Sequence, residues 1–318
     1  MPALSLVVCV RGERDLLERL LNESSGLYDD LVVVHDGPEE ATTDCTCLAP
    51  PAIDFSKLSN RSTLPTSYRP SLSPPRPGSI HELAMQYNGR YFEGARCFQQ
   101  EPHWPFAWSR AQHDWILRLD VDEFPGKELK DWLHRFREGE GPEPPEDISG
   151  YTCIWPLWNG RRAVTKRWPA GRIFLFHRGR VRFFGMVEQV PISDTRYESL
   201  NLVLHHQPKR KSYGSRNILF RRQAYHWRRV IAESLKGKPT DLSCWRWTAE
   251  DWPFPWDRIR CHPLKHSIAS LIWFPLYQLN DMLKASEIPN ISACLNPGLH
   301  HFMLGLRVFV EKWRKKKL

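Results

Sequence analysis

Asp114-Trp115-Ile116-Leu117-Arg118-Leu119-Asp120-Val121-Asp122-Glu123 places a mostly apolar run directly ahead of three carboxylates. A short apolar run that ends in charge reads as a buried strand, here 115–119, with the acids at its carboxyl end. In open α/β sheets ligands collect beyond the carboxyl ends of the strands. Two carboxylates one residue apart at such an end, Asp120 and Asp122, can hold a hard divalent cation, directly or through water, while the cation bridges phosphate oxygens. An acidic surface turn has the same spacing, so the triplet takes its meaning from what surrounds it.

Upstream, residues 4–10 (LSLVVCV) are almost wholly apolar and β-branched, as expected of a strand covered on both faces. Leu16, Leu17, Leu20 and Leu21 follow at helical spacing, and a second apolar run at 31–34 ends in His35-Asp36-Gly37-Pro38. Strand, helix, strand and turn is how a doubly wound sheet begins. Residues 50–77 hold seven prolines and six serines with little apolar periodicity, which predicts a long surface loop. A helix over 79–87, a strand over 90–95 and a helix over 106–113 lead back to the acidic strand. Beyond it, Leu129, Trp132, Leu133 and Phe136 mark an amphipathic helix. Strands are expected at 151–157, 171–176, 181–184 and 201–205. From 215 the pattern turns helical, aromatic and basic. The predicted organisation is a first domain over 1–206 and a helical C-terminal region over 207–318, joined without internal repeats.

Hydrophobic residues make up 41% and charged ones 25%, a balance that excludes wholesale disorder. The net charge of +9 points to an anionic partner without choosing among nucleic acid, phosphorylated small molecules and acidic membranes. Eight cysteines occur with no CxxC pair and no zinc-type spacing against histidine, so reduced thiols are expected. No secretory signal pattern opens the sequence. The late apolar stretch 267–279 includes Pro275 and falls short of the roughly 20 residues a spanning helix needs. A cytoplasmic protein is expected.

Three stretches together, 4–13 (LSLVVCVRGE), 31–37 (LVVVHDG) and 114–123, resemble in order and spacing the nucleotide-binding half of family 2 glycosyltransferases, a likeness covering roughly 4–206. That resemblance implies an α/β fold of GT-A type: a Rossmann-like, mostly parallel sheet with flanking helices, here with a helical C-terminal extension. It also implies a nucleotide-sugar donor, a UDP-sugar, together with Mn²⁺ or Mg²⁺ and inversion at the anomeric carbon. By the same likeness Asp120 and Asp122 hold the metal, and Asp36 accepts hydrogen bonds from the donor base. Val10, Arg11, Glu13 and Arg96 join Asp120 around the nucleotide-sugar. The segment that Arg96 opens departs from the asparagine-rich loop common in the family.

Gly185-Met186-Val187-Glu188 resembles a Gly-x-Val-His-Glu segment of members that build lipopolysaccharide cores, with the histidine missing. Glu188 is therefore the candidate general base, with Glu123 and Asp194 behind it. Direct displacement needs one group to take the acceptor hydroxyl's proton while the departing diphosphate is stabilised, and a carboxylate facing the metal meets that need. His205 and His206 end a strand within reach of metal or diphosphate. Trp104, Trp108, Trp155 and Trp158 offer rings to stack on sugars, although packing is the commoner use of tryptophan.

The acceptor expected from the resemblance is a cell-surface glycan or a lipid-linked precursor. Residues 205–229 carry eight lysines and arginines and no acid, and 299–318 combine apolar residues with six basic ones. The latter pattern suits an interfacial helix and peripheral contact with an anionic membrane at its inner face. An RNA- or lipid-binding protein without catalysis would leave Asp36, Asp120 and Asp122 unexplained, which argues against nucleic acid as the partner. A nucleotidyl- or phosphotransferase would want a phosphate-cradling glycine-rich loop that the sequence lacks.

Overall fold

A computed structural model describes residues 1–39, 69–70, 74–94, 100–101, 103–140, 144–183, 190–193, 195–209, 212–213, 228, 231–232, 235 and 256–315. The strands are β1 (Leu4–Val10), β2 (Asp30–His35), β3 (Arg69–Pro70), β4 (Arg90–Glu93), β5 (Trp115–Arg118), β6 (Glu123–Pro125), β7 (Ile148–Ile154), β8 (Ala170–His177), β9 (Val181–Arg182), β10 (Ile192–Ser193) and β11 (Arg196–His206). The α-helices are α1 (Arg14–Glu23), α2 (Ile80–Gln86), α3 (Trp104–Arg110), α4 (Lys127–Glu138), α5 (Trp256–Cys261), α6 (Pro263–Lys284) and α7 (Ile291–Lys315).

The main sheet has nine strands in the order β3-β4-β2-β1-β5-β8-β7-β11-β6. It is parallel across β4-β2-β1-β5, where every residue of β1 and β2 is buried. Both faces of these strands are covered, as parallel strands linked by crossover helices require. Leu6, Val8, Val10 and Leu117 point to one layer with α1, α2 and α4; Val7, Cys9 and Ile116 point to the other, under α3. Beyond β5 the sheet becomes mixed, with β8 antiparallel to both β5 and β7. The architecture is an α/β sheet with flanking and C-terminal helices.

Several expectations shift in detail. The loop over 50–77 lies largely outside the described residues, as does the helix expected from 215. Trp104 and Trp108 are buried against Phe183, and Trp108 also against Phe176, so they serve the core and not sugar stacking. Of the 299–318 tail, residues 299–315 form the later part of one longer helix, α7, whose Leu304 and Val308 are buried. No helix among the described residues is long and apolar enough to cross a membrane. The described cysteines Cys9, Cys153, Cys261 and Cys294 are free thiols.

One glycine fixes how closely the two halves of the sheet approach. A Cβ added at Gly150 on β7 would meet the Leu175 carbonyl and lie 2.7 Å from Phe176 Cβ on β8. Gly150→Ala is expected to cost about 1–3 kcal/mol, because overpacking against backbone cannot be relieved by a side-chain rotation. Thermal unfolding followed by circular dichroism measures it, and an unchanged melting temperature would show that the strands can separate freely.

Candidate active site

The chemistry-bearing residues lie where β1, β2 and β5 end. After β1 the chain turns through Gly12 at φ 71°, a left-handed conformation that favours glycine. The turn lets the Arg11 backbone N–H donate to Glu13 Oε2 at 2.9 Å. Burial raises the Glu13 carboxyl above its ordinary value, and the nearby charge of Asp122 adds to that rise. Val10 is buried, and its carbonyl accepts the Asp36 N–H at 3.0 Å, which ties the ends of β1 and β2 together.

The Asp36 carboxylate is almost buried. Its Oδ1 lies 3.0 Å from His103 Nε2, just ahead of α3, and its Oδ2 lies 4.0 Å from Arg11 Nε. His103 was not singled out in the sequence, since a histidine 67 positions away gives no local sign of the pairing.

After β5, Asp120 and Glu123 close a tight turn on each other. The Asp120 N–H donates to Glu123 Oε2 at 2.8 Å, and the Glu123 N–H donates to the Asp120 carbonyl at 2.9 Å. Arg172 on β8 reaches across and binds both carboxylates, with Nη2 2.7 Å from Asp120 Oδ2 and Nε 2.8 Å from Glu123 Oε1. Glu123 is fully buried, and burial raises its carboxyl above the ordinary value against the opposing pull of Arg172. Burial alone would lower the Arg172 guanidinium, but Glu123 and Asp120 outweigh it and the group is raised. Glu123 is thus spoken for as Arg172's counter-ion and is withdrawn as a candidate base.

Asp122 belongs to a different neighbourhood. Its Oδ2 lies 3.4 Å from His206 Nε2, and the His206 ring is stacked on Trp155 at 3.9 Å. His205, one residue earlier and on the opposite face of β11, is set among Glu23, Arg19, Glu128 and Lys130 near α1 and α4. Alternation along the strand sends only one of the two histidines to the carboxylates. Arg96 and Glu188 fall outside the described residues, as does Asp194.

Arg118, two residues before Asp120, is buried with its guanidinium 3.3 Å from the Trp104 ring centre. Burial and the like charge of Arg172 lower its pKa to about 9. Among the described residues, Arg118 Nε and Nη1, Trp155 Nε1 and His206 Nδ1 are buried without hydrogen-bond partners. Buried polar atoms are normally paired, so such a group beside two carboxylates suits a ligand carrying oxygens. No three His, Cys, Asp or Glu side chains among the described residues are gathered closely enough to hold a metal ion by themselves. Asp120 and Asp122 offer carboxylate oxygens of the kind Mn²⁺ or Mg²⁺ takes, fewer than a full shell. Such ions are commonly bound by one or two carboxylates with substrate phosphates completing the shell.

A separate cavity of about 430 Å³ lies where α6 meets the sheet, lined by Ile154, Trp168, Asn201, Arg167, Lys284 and Asp281 among others. It contains none of the carboxylates at the end of β5.

No protein-family model and no curated protein matches the chain. Among solved structures it is similar to S. aureus TarS, with a TM-score of 0.33 at 13% identity over 96% of this chain and 54% of that one. It is likewise similar to S. aureus TarS 1-349, with a TM-score of 0.33 at 15% identity over 99% of this chain and 92% of that one. The chain therefore spans about half the length of the longer TarS chain. At this level of similarity the likeness bears on neither substrate nor metal.

Proposed function

We propose that the chain is an inverting glycosyltransferase of hexosyltransferase type, moving a sugar from a UDP-sugar to a hydroxyl of a cell-surface glycan or lipid-linked acceptor. The observation that carries this reading is the placement of Asp36 just after β2 and of Asp120 and Asp122 just after β5, the two strands that flank β1 in parallel, at the sheet edge where α/β proteins bind nucleotides. Asp36, held between His103 and Arg11, accepts hydrogen bonds from the base. Val10, Arg11, Glu13 and Arg96 complete the nucleotide-sugar side.

Asp120 and Asp122 would hold Mn²⁺ or Mg²⁺ together with oxygens of the donor. The cation supplies a Lewis acid that neutralises the charge developing on the departing diphosphate. Arg172 pairs with Asp120 and balances the buried charge of Glu123, an arrangement that positions the Asp120 carboxylate before substrate arrives. On the acceptor side Glu188 takes the hydroxyl proton as the oxygen attacks the anomeric carbon. The bond from that carbon to the diphosphate oxygen breaks, UDP leaves with the electron pair, and the configuration inverts.

UDP is expected to bind on the order of 10- to 100-fold more weakly in EDTA than with Mn²⁺, the range that weakening a metal's support typically costs. Without the cation the diphosphate faces Asp120 and Asp122 directly. Titration calorimetry measures the difference, and Asp122→Asn should reproduce the EDTA result in the presence of Mn²⁺. Equal affinity under both conditions would remove the metal bridge. A panel of nucleotide-sugars scored by release of nucleoside diphosphate identifies the donor.

A further inference from the structure

Helices α6 and α7, of 22 and 25 residues, form an antiparallel pair whose polarity is inverted. The contact between them mixes apolar residues, Met282, Cys294, Leu304 and Val308, with small and polar ones. Ser267, Ser270 and His266 on α6 are buried, as are Asn296 and His300 on α7. A Cβ added at Gly298 would lie 2.8 Å from the Ser270 carbonyl, and one at Gly305 would lie 2.7 Å from the Pro263 carbonyl. His266 Nε2 meets His301 Nδ1 at 3.1 Å across the seam. The outer face of α6 is apolar instead: Ile268 is 63% exposed, Ile272 57%, Trp273 67%, Leu276 54% and Tyr277 61%.

A helix pair built for water buries its apolar stripe and exposes its polar one. Small residues at the contact, hydrogen-bonding groups between the helices and apolar residues outside are the pattern of helices that pack in lipid. The geometry excludes a spanning arrangement. Residues 266–280 carry no Asp, Glu, Lys or Arg, which gives about 15 residues or some 22 Å of helix, shorter than a bilayer core. The turn between the helices is also tied to the catalytic body. Glu287 Oε1 accepts the Arg167 N–H at 2.6 Å, and Met282 and Cys294 pack with Leu157 and Trp168.

Charge points to the occupant. Lys265 stands at one end of the uncharged stretch, Asp281 closes the other with Lys284 three residues on, and residues 256–318 contain ten Lys and Arg against four Asp and Glu. Basic groups flanking an apolar face with exposed Trp and Tyr match anionic headgroups above an acyl boundary. We propose that the outer face of α6 docks in the plane of an anionic lipid surface, with Ile268, Ile272, Trp273, Leu276 and Tyr277 entering the acyl boundary. The contact expected from sequence in 299–318 is thereby moved to the preceding helix. The inference stands independently of the sugar-transfer reading.

The full chain is sedimented with vesicles of phosphatidylcholine alone and of phosphatidylcholine mixed with phosphatidylglycerol. It is expected to pellet with the anionic vesicles, less so in high salt, since surface attraction is screened over about 8 Å at physiological ionic strength. Replacing Ile268, Ile272 and Leu276 together by serine should lower partitioning at least ~10-fold, because the apolar area entering lipid is lost. Circular dichroism and the melting temperature should be unchanged, since these side chains are exposed in the folded protein. In the otherwise unaltered chain, Trp273→Phe should lose much of the tryptophan quenching produced by brominated lipid. A triple variant that sediments like the unaltered protein would overturn the proposal. So would an unaltered protein that ignores anionic vesicles and is a dimer which the triple variant makes monomeric, assigning the face to a second copy.

Discussion

Arg172→Ala is expected to destabilise the protein by about 3–5 kcal/mol, the usual consequence of removing one partner of a buried ion pair. On a domain of this size that is a fall of roughly 10 °C in melting temperature. The cause is Glu123, which is fully buried and would lose its counter-ion. Its carboxyl already lies above the ordinary value and would rise further. A group whose folded pKa is raised binds more protons folded than unfolded, so its contribution is present at low pH and is lost as pH rises through the folded pKa. The deficit of Arg172→Ala should therefore be full near neutral pH and shrink as pH falls towards the ordinary carboxylate range around 4.3. Melting curves at about pH 5 and about pH 8 test the sign. Replacing the pair together, Arg172→Met with Glu123→Leu, should recover much of the stability, because well-packed apolar groups often substitute for a buried pair without loss. A double variant no more stable than Arg172→Ala would show that Asp120 is the partner that matters.

The largest effect on rate is expected from Glu188→Gln, a fall of about 10² to 10⁴ in transfer, which is what a positioned acid–base group contributes. The substitution keeps the shape and removes charge and basicity. On the proposed reading the base serves the acceptor and Asp120 and Asp122 serve the donor, so UDP affinity and its Mn²⁺ dependence should be nearly untouched. Asp120→Asn, in contrast, should impair both. Single-turnover transfer alongside UDP calorimetry separates the two behaviours. Transfer at the unaltered rate would move the base to Asp194, since Glu123 is closed off by burial and by Arg172.

How much of this could be read from sequence depended on the range of the interaction. The strand over 4–10 was legible to the residue, because a strand buried on both faces writes its whole length as apolar side chains. The acids after β5 were legible because they adjoin such a strand. Arg172 was not assigned to them, because the pairing depends on β8 lying beside β5, and strand order across an antiparallel insertion leaves no local trace in one sequence. β6 was unreadable for another reason: Glu123–Pro125 is a three-residue strand that looks like the turn it follows. Even the long helices were seen only as apolar stretches. Their inverted polarity appears when Ser267, Gly298 and Gly305 are found facing inward together.

That three-residue strand has a consequence for how the site comes and goes. β6 pairs with the end of β11 through Glu123 opposite His206, Phe124 opposite His205 and Pro125 opposite Leu204. The ladder is extended by the Gln207 N–H on the Asp122 carbonyl at 2.7 Å and the Gly126 N–H on the Val203 carbonyl at 2.9 Å. The carboxylate of Asp122 and the imidazole of His206 thus hang on the same few backbone hydrogen bonds. If that ladder opens, Asp122 and His206 move together, while Asp120 stays on Arg172 of β8. In hydrogen exchange the amides of Gly126 and Gln207 should then become protected as one cooperative unit, with a ligand at the carboxylates slowing them in parallel.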